Sequence, residues 1–148
     1  MATTTRNRVP RHTATDTNRT IQQSIEHSIR FYQKHKNQIP RRLQELDEEW
    51  DIERAIEANA AMVSLVGLTF GLLGKSRWFL LPAAVSGFLL QHAVQGWCPP
   101  IPVLRRLGFR TSFEIEQERQ AMRLIRGDYK SVADGNADAE DLLEAVQP

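Results

Sequence analysis

The sequence predicts an all-α protein: a transmembrane helical hairpin with amphipathic cytoplasmic helices and disordered termini. Three observations carry this expectation. Two apolar runs, residues 58–74 and 78–94, follow one another with only Lys75, Ser76 and Arg77 between them. The rest of the 148-residue chain is strongly polar. Tryptophans mark the run ends, with Trp50 ahead of the first run, Trp78 opening the second and Trp97 closing it. Such interfacial positions suit an amphipathic ring.

Bulk properties narrow the function classes. The net charge of +1 lacks the basic excess that phosphate neutralisation requires, so no nucleic-acid partner is expected. The mean hydropathy of −0.42 hides an apolar concentration at the centre of the chain. A single cysteine, Cys98, excludes an intrachain disulfide.

Residues 1–19 are rich in Thr, Arg and Asn and contain almost no apolar side chain. They form an expected disordered basic N-terminus, because nothing offsets the entropy of ordering. Without an apolar core they are not a secretory signal, although the composition also fits a transit peptide. Residues 20–57 are expected to form cytoplasmic amphipathic helices. Thr20 with Gln23 makes a capping-box pattern, and Ile21, Ile25 and Ile29 recur at i+4 before Tyr32. That pattern predicts a helix to about Asn37, docked on a neighbour or lying with its basic face on anionic lipid. Pro40 breaks it, the pre-proline bias puts Ile39 in extended conformation, and Pro40 starts the next helix. No breaker follows, so one long helix is expected over 41–73. Its acidic face, from Glu45 to Glu57, reads as solvated or as a cation site.

Residues 58–98 are the expected two-span hairpin. The first run has 17 residues without charge, roughly 25 Å of helix against a hydrocarbon core of about 30 Å. The second run ends near Trp97, before Pro99, Pro100 and Pro102. A soluble buried hairpin is the alternative, but this chain has little other apolar surface to cover two apolar helices. Small residues Ala60, Ser64, Gly67, Gly71 and Gly74 fall on one stripe, and Gly87 is their expected counterpart on the second span. These are the candidate helix-packing residues, within the pair or between two copies. Gln91, His92 and Gln95 are polar groups that must face protein, water or headgroups.

Residues 99–130 are expected to form a basic juxtamembrane turn and a cytoplasmic helix. Arg105, Arg106 and Arg110 join Trp50, Trp78 and Trp97 as candidate lipid-interface residues. Thr111 with Glu114 forms a capping box, and Gly127 is a helix stop. Residues 131–148 read as an acidic disordered tail. Lys75 and Arg77 in the loop are outnumbered by Arg41, Arg42, Arg54, Arg105, Arg106 and Arg110 on the flanks. The positive-inside rule then puts both termini in the cytoplasm.

No catalytic constellation is visible, and no metal or cofactor is expected. The first functional expectation is a small integral inner-membrane protein acting as an anchored interaction or scaffold module. Its partners would be the lipid bilayer and an unidentified cytoplasmic or membrane protein, with a homo-oligomer left open. The alternative is a thiol-dependent sulfur or redox relay with Cys98 reactive and His92 supporting. These two residues alone make a poor metal site. A pore would require an oligomer, since two helices enclose none.

Three sequence elements also carry a resemblance. They are 77–79 through Gln91, the Gly96-Trp97-Cys98-Pro99-Pro100 segment, and Leu104-Arg105-Arg106-Leu107-Gly108. Over about 59–111 the chain resembles the YgaP-like family of two-helix inner-membrane modules of unknown function. The resemblance implies a bacterial inner membrane and two spans with cytoplasmic ends. It implies no activity, because in the rhodanese member catalysis belongs to a separate domain that has no counterpart here.

Overall fold

The computed structural model describes residues 7–130 together with Asp138, Glu140, Leu142 and Val146. Among these residues the fold is helical, with no strand. In chain order the α-helices are α1 (Arg8–Arg11), α2 (Thr15–Lys34), α3 (Ile39–Glu48), α4 (Ile52–Leu72), α5 (Leu80–Gln95), α6 (Ile101–Arg106) and α7 (Ser112–Arg126). Short 3-10 turns, Lys36–Gln38 and Ser76–Phe79, lead into α3 and α5. The expected acidic tail over 131–148 lies almost entirely outside the described residues.

The chain divides into two compact units, Met1–Gln22 with Trp50–Phe113, and Gln23–Glu49 with Glu114–Pro148. The first holds α1, the start of α2, and α4 to α6. Its core joins Val9, Ile52, Ala55, Ile56, Cys98, Ile101 and Leu104, with Leu89 and Phe109 packed against it. The second holds the remainder of α2, α3 and α7, around Ile39, Leu43, Leu46, Ile115 and Met122. Here the buried Glu118 carboxylate is gripped by Arg42 through Nε (2.9 Å) and Nη2 (3.2 Å), and Ser28 Oγ also donates to it. Arg119 pairs with Asp47 at 2.8 Å and donates to the Leu46 carbonyl.

Several expectations are corrected. The single helix over 41–73 is broken: Glu49 turns extended and Asp51 becomes the N-cap of α4, its carboxylate accepting from Arg54 N at 2.7 Å. Capping satisfies an amide that would otherwise be orphaned. The Ile52 amide donates to the Arg110 carbonyl at 2.8 Å, fixing the start of α4. Within the expected disordered N-terminus, residues 8–11 and 15–19 are helical. Val9 supplies the reason, being 1% exposed in the first core. Asn18 Nδ2 donates to the Pro10 carbonyl at 2.8 Å and ties α1 to α2. Thr20 is no cap, since α2 begins at Thr15 and Thr20 Oγ1 donates to the Asp16 carbonyl inside the helix. Ile39 is helical (φ −57°, ψ −43°) despite the following proline. Burial with Leu43 and Leu46 at i+4 and i+7 outweighs the pre-proline bias.

The segment Lys36–Leu72, broken at residues 49–51 and apolar over α4, is long and apolar enough to cross a membrane by length and composition. Only 28% of its apolar window is buried. α5 has 16 residues and is preceded by four in the 3-10 turn, together roughly 32 Å of helix. Gly96 ends α5 in the left-handed region at φ +78°, next to the Trp97 near which the stop is expected.

Candidate functional site

Two features of the first unit concentrate the candidate residues: the apolar pair α4 and α5, and the corner where Cys98 meets α1. The pair is set by two glycines. A Cβ on Gly67 would lie 2.6 Å from Pro82 Cδ, and one on Gly71 would lie 2.7 Å from Phe79 Cε1. The start of α5 therefore lies against the end of α4 only because both positions lack side chains. Ala60 and Ser64 are half-buried on the same stripe. Gly74 and Gly87 depart from the packing expectation. Gly74 sits at φ +90° with open space around it, as the turn that ends α4, and Gly87 is exposed with nothing near it.

Among the described residues, most of the rest of the pair's surface is apolar and uncovered. Leu65, Leu72, Leu80, Leu90 and Val94 are all more than 60% exposed. Three polar side chains of these helices bond back to their own backbone. Asn59 Nδ2 donates to Ala55 O (2.7 Å), Thr69 Oγ1 to Leu65 O (2.8 Å) and Ser86 Oγ to Pro82 O (2.8 Å). Each is an i−4 bond that a side chain can keep without water.

The three tryptophans stand at the ends of α4 and α5. Trp50 is exposed just before α4, with the Arg54 guanidinium 4.3 Å from its ring centre. Trp78 packs on Phe70 beside the loop with ring centres 4.9 Å apart and planes tilted by 36°, and Trp97 is half-buried just past α5. The candidate basic cluster is rearranged. Arg105 is 1% exposed and bonds the Phe109 carbonyl (3.1 Å) and Asn18 Oδ1 (2.9 Å), and Arg110 is also buried. These two arginines serve the fold's interior, and Arg106 alone of the three is exposed.

α1 closes the C-terminal end of α5. Arg8 Nη1 reaches the Ala93 carbonyl at 3.4 Å, and His12 Nε2 lies 3.1 Å from the Gln95 carbonyl, which makes Nε2 the protonated nitrogen. The last carbonyls of a helix lack intrahelical partners and attract positive charge, so these basic side chains complement them. A Cβ on Gly96 would lie 2.5 Å from Arg8 Cβ, so the glycine also admits α1. Sequence reasoning missed this contact, because its anchor is one apolar residue, Val9, in a polar segment.

Cys98 and His92 are both buried. Cys98 is a free thiol, 4% exposed, among the aliphatic side chains of the first core. Reactive cysteines are partly exposed beside positive charge, whereas this is the setting of an inert packing cysteine. The thiol-relay expectation draws no support from it. His92 is 7% exposed, and its Nδ1 has no hydrogen-bond partner. Among the described residues no group of three or more His, Cys, Asp or Glu side chains could hold a metal ion. The acidic run from Glu45 is engaged: Glu45 with Arg41 and Arg42, Asp47 with Arg119, and Asp51 with the α4 amide. Burial raises the Glu53 carboxyl above its ordinary pKa, and the Asp51 charge adds to the shift.

No family model, curated protein or solved structure matches this chain.

Proposed function

We propose that this chain is a small integral inner-membrane protein in which α4 and α5 span the bilayer as a hairpin and anchor a cytoplasmic helical module that binds a protein partner. The observation that carries the reading is the uncovered apolar surface of the pair. Helices apolar on every side belong inside a large protein or in lipid. Among the described residues no other layer covers them. The i−4 bonds of Asn59, Thr69 and Ser86 support the same reading, because lipid supplies no partner for a free hydroxyl or amide. The proposed spans, 58–74 and 78–94, leave Trp50 and Trp97 at one interface and Trp78 at the other.

Six Lys and Arg residues on the flanks against two in the loop support the reading that both termini are cytoplasmic. The module role rests on the second unit, which has its own core and a charged surface. Cysteine labelling tests the arrangement. In a Cys98→Ala background, Ser76→Cys reacts with a membrane-impermeant maleimide in intact spheroplasts, and Gln117→Cys reacts only after lysis. Equal protection of both sites until lysis would contradict the proposed spans.

A further inference from the structure

Near the Cys98 end, α4 and α5 separate and leave a pocket of about 320 Å³. Ile56, Ala60 and Val63 form its α4 wall, and Val85, Phe88 and Leu89 its α5 wall. Cys98 and Pro99 line its end. The volume is at the lower limit of ligand pockets. It would hold several waters at about 30 Å³ each, but a water needs two to four polar partners. The pocket offers only Asn59, whose amide nitrogen is already given to Ala55 O, and the Cys98 thiol. No charged side chain lines it, so no carboxylate or phosphate belongs inside it.

Its shape and mouth narrow the occupant further. The α4 wall runs from residue 56 to 63, about 10 Å along the helix axis. That elongation between two helices suits a linear chain rather than a compact ring. Val63 and Phe88 line the pocket and are also exposed on the apolar surface of the pair, so the pocket opens onto that surface. Left empty, its walls would forgo dispersion contacts that a hydrocarbon restores.

We propose that this pocket binds one acyl chain of a membrane phospholipid, a proposal that rests on the membrane placement given above. The test uses the full chain, purified in mild detergent from membranes washed with alkaline carbonate and incubated with dioleoylphosphatidylglycerol. Native mass spectrometry then reads the retained lipid. Wild type retains one lipid, and its abundance falls about tenfold or more in Ala60→Phe and in Val85→Phe, which fill the pocket from opposite walls. Ala83→Phe, on the exposed face of α5, retains lipid as wild type does. Helical circular dichroism of each variant checks its fold, and having two filling variants keeps the test decisive if one misfolds.

Undiminished lipid in a folded filling variant overturns the pocket while leaving the membrane reading intact, since the protein came from carbonate-resistant membranes. So does a wild type that retains no lipid. A native adduct with the mass of a free fatty acid or an isoprenoid overturns the phospholipid source. Release of the wild type by carbonate overturns both this proposal and the membrane reading.

Discussion

Glycines show how differently one residue type can act within a single pair of helices. Gly96 combines a left-handed backbone with the close approach of Arg8. Gly96→Ala is expected to cost about 1–2 kcal/mol from the backbone alone, and more from displacing α1. Gly87 is helical, exposed and free of neighbours, so Gly87→Ala is expected to be neutral or to stabilise by up to about 1 kcal/mol. Thermal unfolding followed by circular dichroism in detergent measures both, and the reverse order would contradict these assignments. The stripe of small residues was legible at Gly67 and Gly71, where spacing alone indicates a close helix contact. It was not legible at Gly87, because periodicity does not say which face of α5 meets α4. Arg105 and Arg110 were read as headgroup contacts because basic residues beside an apolar run usually are. Arg105 is held inside by Asn18, distant in sequence, and by the Phe109 carbonyl, brought near only by the turn.

Helix ends record the same contrast between local and distant causes. The start of α7 after Thr111 and its stop at Gly127, φ +95°, follow from signals within a few residues. The break before α4 was also written locally, in Asp51 just ahead of Ile52, but was hidden by the surrounding run of acids. The order of α1 had no local signal, because its stability comes from Val9 entering a core built by Ile52, Ile56 and Ile101. The ion pair between α3 and α7 was beyond sequence reading for the same reason, since Arg42 and Glu118 are far apart in the chain. Glu118 is fully buried, so removing the Arg42 guanidinium takes two charge-assisted hydrogen bonds from its carboxylate. Arg42→Met is expected to destabilise the second unit by roughly 3 kcal/mol. Exposed Arg41→Met is expected to cost well under 1 kcal/mol, because its pair with Glu45 is solvated. Denaturant titration of the two variants compares them, and equal midpoints would show that the buried pair is not a principal support of α3 against α7.

For the molecule as a whole, the helical class and the two apolar segments were legible because uninterrupted apolar runs report on helix length and environment together. The pocket was not, since a gap between helices depends on where they separate, and no sequence periodicity encodes that. The proposed anchoring makes the first unit a lipid-solvated pair whose cytoplasmic corner is closed by α1, and leaves the second unit to meet a partner in water. The uncovered leucines and valines of α4 and α5 are the feature on which this account stands. Alkaline carbonate extraction of membranes from cells expressing the full chain tests it most directly. The account predicts that the protein stays in the pellet with integral membrane proteins. Recovery in the supernatant would contradict it and make α4 and α5 the buried centre of a soluble assembly.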